Sequence, residues 1–184
     1  MIKIEADSSA MEKAAQMLQE IPNGVERAAV SAFNRALLEG RTAGTRAATQ
    51  RYTLKAGIVR KTMAMHRASR SNLNAELVSR GRRLPMKYYA HKPSHDTTGA
   101  NRKQVSVGVR KGSLRPLGQG FIYNGMVMQR LGATRLPIEQ KYSLAVPNIL
   151  NNDEIVDAIQ ERMSAAVEKR MVHETERILA GYGK

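Results

Sequence analysis

The sequence predicts an α+β fold, and three observations lead to that prediction. Apolar residues recur at helical spacing in the first third of the chain and again over 153–179. They alternate with polar residues over 73–77 and over 104–110, which is the period of a strand with one wet face. The main helical stretches lie towards the two ends of the chain and the strands lie between them. This segregation is typical of an α+β protein and not of alternating βαβ units.

The first 63 residues are predicted to form a mainly helical half. Met1–Ala6 alternates between apolar and charged residues, which predicts a short strand that pairs with a later one. Ser9 and Glu12 form a capping box at the start of the first helix, and Thr53 can cap the third. The three helices are expected over 9–21, 25–52 and 54–63.

The second half of the long helix has an unusual face of small residues. From Gly40 onward its apolar positions are only Gly and Ala, and small residues permit close approach of another backbone. This half is therefore predicted to lie against a neighbouring helix or a second subunit. The alternative is a weak, partly frayed helix, since an interior Gly costs on the order of 1 kcal/mol. The residues taken as interface candidates here are Gly40, Arg41, Ala43 and Gly44.

The remainder of the chain is predicted to carry the strands, an arm and a final helix. Strands are expected within 64–131, including Gly120–Tyr123 and Met126–Leu131. A loop over 91–102, rich in Pro, Ser, Thr, Gly and Asn, is expected to be exposed and mobile. An extended arm is predicted over 132–152 and a charged helix over 153–180. At 184 residues the whole chain is predicted to be one domain.

The positive charge of the chain is concentrated in its middle. The net charge is +14, and residues 25–115 hold 20 basic and 4 acidic residues. The segment before them holds 2 basic and 4 acidic residues, and the segment after them balances at 8 and 8. An excess of this size predicts either a polyanionic partner or an acidic protein surface.

Several classes of site are excluded or weakly supported. The absence of cysteine rules out disulfides, thiolate metal sites and cysteine nucleophiles, and it fits a reducing cytoplasm. Glu5 and Asp7 occupy the place where a signal peptide would be basic, and no run of about 18 apolar residues occurs, so the sequence predicts neither targeting nor a membrane span. No phosphate-binding or dinucleotide fingerprint is present.

The histidines give little support to a metal site or an enzyme. His91, His95 and Asp96 form the one cluster with ligand chemistry, but Pro93 prevents them from sharing a helical turn as a helix-borne zinc pair does. A hydrolase that uses these three residues is the alternative that they leave open. Otherwise the sequence predicts no catalytic residue, no metal and no cofactor.

Two basic groups are the candidates for binding DNA or an acidic partner. Residues of this type bind phosphates with a strong salt dependence, although the aromatic interleaving or recognition helix of most nucleic-acid readers is missing. The first group follows a predicted strand and the second surrounds the strand at Val105. The candidates are Arg80, Arg82, Arg83, Arg102, Lys103, Arg110, Lys111 and Arg115.

Five short motifs in a fixed order resemble the phage minor tail protein Z family. A Leu-Pro strand at Arg83–Pro85 precedes a basic strand at 107–112, a Gly-Phe-Ile strand at 120–122 and a strand at 126–130. An Arg-Leu-Pro-Ile arm with Tyr142 follows. The resemblance runs from about residue 20 to the end. Ser143-Leu144 stands where the family tends to have Gly-Pro, so the path of the arm is expected to differ there.

The resemblance implies a non-enzymatic structural role in a tailed phage. It implies a tail-completion or neck protein with long helices packed on a mainly antiparallel twisted sheet, arranged as a ring at the head-proximal end of the tail. The partners implied are other copies of the chain, a tail terminator, a head–tail connector or adaptor, and genomic DNA in the lumen. The arm then supplies further interface candidates, Arg135, Leu136, Pro137, Ile138 and Tyr142.

Two readings of the basic residues remain open. In the first they contact acidic protein in a neighbouring ring, and in the second they face DNA. A DNA-binding module that acts in packaging or assembly without being a virion ring is the alternative function.

Overall fold

Three short antiparallel sheets and five α-helices make up the part of the chain that the structure describes. The structure is a computed structural model that describes residues 2–3, 8–97 and 103–181. The helices are α1 (Ser8–Met17), α2 (Gly24–Arg51), α3 (Ala56–Thr62), α4 (Val146–Leu150) and α5 (Asp153–Leu179), with a 3-10 turn at Met86–Tyr88. The strands are β1 (Ile2–Lys3), β2 (Met63–His66), β3 (Glu76–Ser79), β4 (Ala90–Lys92), β5 (Ser106–Gly108), β6 (Arg115–Pro116), β7 (Gly120–Tyr123), β8 (Met126–Arg130) and β9 (Ile138–Gln140).

These elements divide between two compact units, each assembled from separate stretches of the sequence. The helical unit comprises Met1–Thr45, Met63–Ser79 and Asn151–Lys184. The strand-rich unit comprises Arg46–Thr62 and Arg80–Leu150. Helix α2 contributes its first 22 residues, 24–45, to the helical unit and 46–51 to the strand-rich unit. The single domain expected from chain length stays a prediction beside this division into two units.

The core of the helical unit is aliphatic and contains many alanine side chains together with methionine. Helix α2 buries Ala28, Ala32 and Ala36 on one stripe, and α5 buries Ile159 and Met171. Both helices begin with carboxylates, which favour the positive end of a helix dipole. The predicted start and end of α5 agree with the structure, because its apolar stripe repeats over seven turns.

The sheet of the helical unit has the order β1-β3-β2. The prediction that the N-terminal strand pairs with a later one is confirmed, since Ile2 lies opposite Leu77. The rest of that predicted strand, Met1 and 4–6, lies outside the described residues. The predicted strand over 73–77 begins later, at Glu76, and its partner β2 was not predicted. Met63, which was expected to end a helix, instead lies opposite Ser79.

The strand-rich unit holds two three-stranded sheets, β4-β5-β6 and β7-β8-β9. Val105, Ile122 and Val127 form its buried centre, with Met86, Val107 and Leu117 packed against it. The β7–β8 hairpin turns at Asn124 and Gly125, both at positive φ, as an Asn-Gly turn requires. The single sheet that was expected is therefore three separate sheets, two of them in this unit.

Two segments that were predicted to be irregular contain regular elements. The loop expected over 91–102 contains the end of β4, and its Thr97 is buried and exchanges hydrogen bonds with Ile122. Residues 98–102 lie outside the described part of the chain. The arm expected over 132–152 contains β9 and α4. Its prolines permit this, because Pro137 precedes an edge strand and Pro147 lies in the first turn of a helix.

Candidate interaction surfaces

The small-residue face of α2 is used within the chain. A Cβ at Gly40 would overlap the Met163 sulfur, and a Cβ at Gly44 would lie 2.8 Å from Ile159 Cδ1. These glycines therefore let α2 approach α5 closely. Of the two contacts predicted for this face, a neighbouring helix or a second subunit, this is the neighbouring helix. Arg41 and Ala43 from the same candidate group are partly exposed.

Charge is divided very unequally between the two units. The strand-rich unit contains 18 Lys and Arg against 2 Asp and Glu, a net charge of +16. The helical unit contains 12 against 14, a net charge of −2. All eight basic candidates named from the sequence belong to the strand-rich unit. The charge excess is thus a property of one folded unit.

Both carboxylates of the strand-rich unit are already engaged. Asp96 accepts hydrogen bonds from the backbone N–H groups of Asn124 (2.9 Å) and Gly125 (3.1 Å). Glu139 pairs with Lys141 at 2.9 Å. With 18 Lys and Arg against these two carboxylates, the unit carries an excess of positive charge that favours anions from outside.

One basic group lies on a tight turn after β5. Lys111 N–H donates to Arg51 O (2.9 Å), and Ser113 N–H donates to Arg110 O (3.2 Å) across the turn. Gly112 supplies the positive φ of 77° that this turn needs. Arg115 follows in β6, and the side chains of Arg110, Lys111 and Arg115 are all exposed.

The other basic group follows the C-terminal end of β3. Arg80 N–H donates to Thr62 O at 3.0 Å, which places this group beside the C-terminal end of α3. Arg82 and Arg83 follow and are exposed. Lys103 is exposed as well, and Arg102 lies outside the described residues.

The arm candidates are exposed, and a buried tyrosine holds the segment that follows them. Leu136 is 65% exposed, Tyr142 is 44% exposed and Ile138 is 39% exposed, and Arg135 and Pro137 are exposed beside them. The anchor is the buried Tyr89, whose hydroxyl donates to Leu144 O at 2.6 Å. Burial, together with the nearby Tyr52 hydroxyl, raises the pKa of Tyr89 to about 12. Tyr89 therefore stays protonated and keeps its donor at neutral pH.

The sheet β7-β8-β9 presents a second surface, which the sequence motifs did not predict. Its register puts Ile122 and Val127 on the inner face, where both are buried. The opposite face, which we call the outer sheet face, carries no buried residue. It consists of Phe121, Tyr123, Met126, Met128, Arg130, Ile138 and Gln140.

A signal for the outer sheet face was present in the sequence. Strands β7 and β8 are apolar at both alternating positions, as in Phe121-Ile122-Tyr123 and Met126-Val127-Met128. A run of this kind is typical of a strand that is covered on both faces. In the structure, the buried core of the unit covers one of these two faces, and the other face is the outer sheet face.

Two residues of the histidine cluster, His91 and Asp96, contact backbone groups. Asp96 caps the β7–β8 turn, and the His91 ring nitrogen Nδ1 lies 2.9 Å from Tyr89 O. Among the described residues no group of three or more His, Cys, Asp or Glu side chains is placed to hold a metal. No helix in this part of the chain combines the length and the apolar character needed to cross a membrane.

The sequence matches a known protein family over most of its length. The family model for prophage minor tail protein Z matches residues 9–182. Comparison with curated proteins and with solved structures gave no significant match. Since the match covers nearly the whole chain, this protein belongs to the prophage minor tail protein Z family, a family of phage tail proteins.

Proposed function

We propose that this chain forms a ring at the head-proximal end of a phage tail, where it completes the tail and helps to join it to the head. Family membership gives the structural role in a tail. The observation that carries the finer proposal is the division of charge, +16 on the strand-rich unit and −2 on the helical unit. The role is one of assembly and needs no catalysis.

A ring requires each subunit to offer two different surfaces. Head-to-tail contacts join one surface of a subunit to a different surface of the next, and they form a ring when the rotation between subunits closes. Two basic units repel each other, whereas a basic unit and a slightly acidic one attract. The chain therefore contains an asymmetry that favours head-to-tail contact over a symmetric dimer through the strand-rich unit.

The neighbours proposed for the ring are the tail terminator on one side and a connector or adaptor of the head on the other. The exposed groups at Arg80–Arg83 and Arg110–Arg115 support such contacts, because a unit of net charge +16 attracts acidic protein surfaces. Genomic DNA in the lumen is the second partner for the same residues.

Deletion of the gene from the phage tests the proposal. The expected result is that filled heads and tails accumulate unjoined, and that supply of the chain in trans restores infectious particles. In restored particles the chain should be found at the head-proximal end of the tail. Joined, infectious particles without the chain, or a chain located only at the distal tip, would rule out this function.

A DNA-binding module is the second candidate, favoured by the turn that bears Arg110 and Lys111. Duplex DNA affinity should then fall steeply with salt, and the variant R110Q/K111Q should reduce the slope of log K against log salt by roughly 2. The matched control is K169Q/R170Q in the helical unit, which should leave the slope unchanged. Absence of binding at low salt would exclude this candidate.

A further inference from the structure

We propose that the outer sheet face is the docking site for helix α5 of a second copy of this chain. The inference rests on the proposed function, because it names the two surfaces that meet when copies associate. It goes beyond the arm residues, since the face is built mainly from β7 and β8.

The outer sheet face has the character of an interface core. Tyr123 is 54% exposed and Ile138 is 39% exposed, and Phe121, Met126 and Met128 are all partly exposed. Contiguous apolar side chains of this kind mark contact sites, and aromatic residues and methionine are enriched in them. The face includes no carboxylate, and its one charged residue is Arg130.

Charge decides which occupant fits this face. A second outer sheet face would bring two units of net charge +16 together, which like-charge repulsion disfavours. Duplex DNA has the negative charge that a basic unit attracts, but it has few apolar groups to pack against a flat apolar surface. The fitting partner combines apolar side chains with carboxylates.

Helix α5 carries such a surface on its solvent side. The positions at spacings of three and four residues along one stripe are all exposed, and they combine four carboxylates with three apolar residues and no Lys or Arg. Val172 is 58% exposed and Leu179 is 46% exposed within this stripe. The acidic stripe, as we name it, comprises Asp157, Glu161, Ala165, Glu168, Val172, Glu176 and Leu179.

The two surfaces complement each other without being alike. Val172 and Leu179 supply apolar anchors for the aromatic and methionine side chains of the sheet, and the stripe carboxylates match the cations of the strand-rich unit. Because sheet and helix are different surfaces of one chain, each docked copy leaves a free sheet face and a free stripe. Such contacts propagate from copy to copy, and they form a ring when the rotation between successive copies closes.

Thiol cross-linking tests the docking, since the chain contains no natural cysteine to interfere. The full-length double variant I138C/V172C, treated with a short bismaleimide, should give a ladder of covalent oligomers, and a mixture of I138C and V172C chains should give dimers. Either single variant alone should give none. The matched control pairs I138C with L38C on α2, at a residue that is 39% exposed, and should not cross-link.

The outcomes separate this inference from the proposed ring. The reaction is run on the purified chain and on assembled particles. Particles that incorporate the chain but cross-link no better through I138C/V172C than through the control would overturn the docking and leave the ring standing. Exclusion of the wild-type chain from particles, together with a monomer at every concentration, would overturn both.

A charge variant gives a second readout. Glu168→Lys should weaken self-association at least about tenfold, because it places a cation against the basic unit of the next copy. Glu12→Lys on α1 makes the same change away from the stripe and should leave association unchanged. Equal effects of the two variants would contradict the proposal.

Discussion

The guanidinium carbon of Arg130 lies 4.4 Å from the centre of the Phe121 ring on the outer sheet face. Stacking of a cation on an aromatic face is worth about 0.5–1 kcal/mol at an exposed site. The contact joins neighbouring strands, since Phe121 is on β7 and Arg130 is on β8. It leaves a positive, aromatic surface open to solvent.

Replacement of Tyr123 by Ser should separate assembly from folding. The side chain is 54% exposed, so the free energy of unfolding should change by no more than about 0.5 kcal/mol. Incorporation into particles should fall strongly, because an aromatic anchor is lost from the interface. Leu114→Ser, at a residue that is 43% exposed elsewhere in the unit, is the control. Quantitation of the chain in purified particles and urea unfolding provide the two measurements.

Replacement of Gly40 by Val should destabilise the helical unit. The added side chain would overlap Met163, and overpacking typically costs about 1–3 kcal/mol. Gly57→Val on α3 is the matched control, because no atom lies within 4 Å of its added Cβ. Urea unfolding followed by circular dichroism should show a lower midpoint for the first variant only. An unchanged midpoint for Gly40→Val would contradict the close packing of α2 on α5.

Replacement of Asp96 by Ala should loosen the β7–β8 hairpin. The change leaves two backbone N–H groups without their carboxylate, and hydrogen bonds to a charged group are worth about 1.5–3 kcal/mol. His95→Ala, one residue away and exposed, should change stability by less than about 0.5 kcal/mol. Amide exchange at Asn124 and Gly125 measures the effect directly. Equal protection in the two variants would show that Asp96 does not hold the turn.

Replacement of Tyr89 by Phe should change how stability depends on alkaline pH. The pKa of Tyr89 is raised from 10.0 to about 12, chiefly by burial, so the folded chain holds this proton more tightly than the unfolded chain. The resulting stabilisation is fully present below pH 10 and is lost as the pH rises through about 12.

The variant and the wild type should differ in that alkaline window. Wild-type unfolding free energy should fall more steeply between pH 10 and 12 than that of Tyr89→Phe. Below pH 10 the variant should be less stable by about 1 kcal/mol, because it lacks the hydrogen bond to Leu144 O. Parallel pH profiles would contradict the buried, neutral state of Tyr89.

The long helices and the β7–β8 hairpin could be predicted from the sequence. Helix α5 repeats its apolar stripe over 27 residues, and Asn124-Gly125 fixes the hairpin turn by its own conformational preference. Strands such as β4 and β9 could not be predicted. Each has three residues, and hydrogen bonds to β5 or β8 hold it in place, so its stability comes from the partner rather than from its own pattern.

The candidate surfaces were predictable only in part. Exposure of Leu136, Ile138 and Tyr142 could be expected from an arm with prolines. The charge of +16 could not be assigned to one unit, because that unit is assembled from two stretches, 46–62 and 80–150. The outer sheet face depends on strand register and on which face Val105 covers, and neither is a local property of the sequence.

Electron microscopy of the intact particle, at a resolution that traces this chain, tests the central claim most directly. The account predicts a closed ring of copies at the head-proximal end of the tail, with the acidic stripe of each copy on the outer sheet face of the next. A single copy, a location at the distal tip, or a particle that lacks the chain would contradict the account.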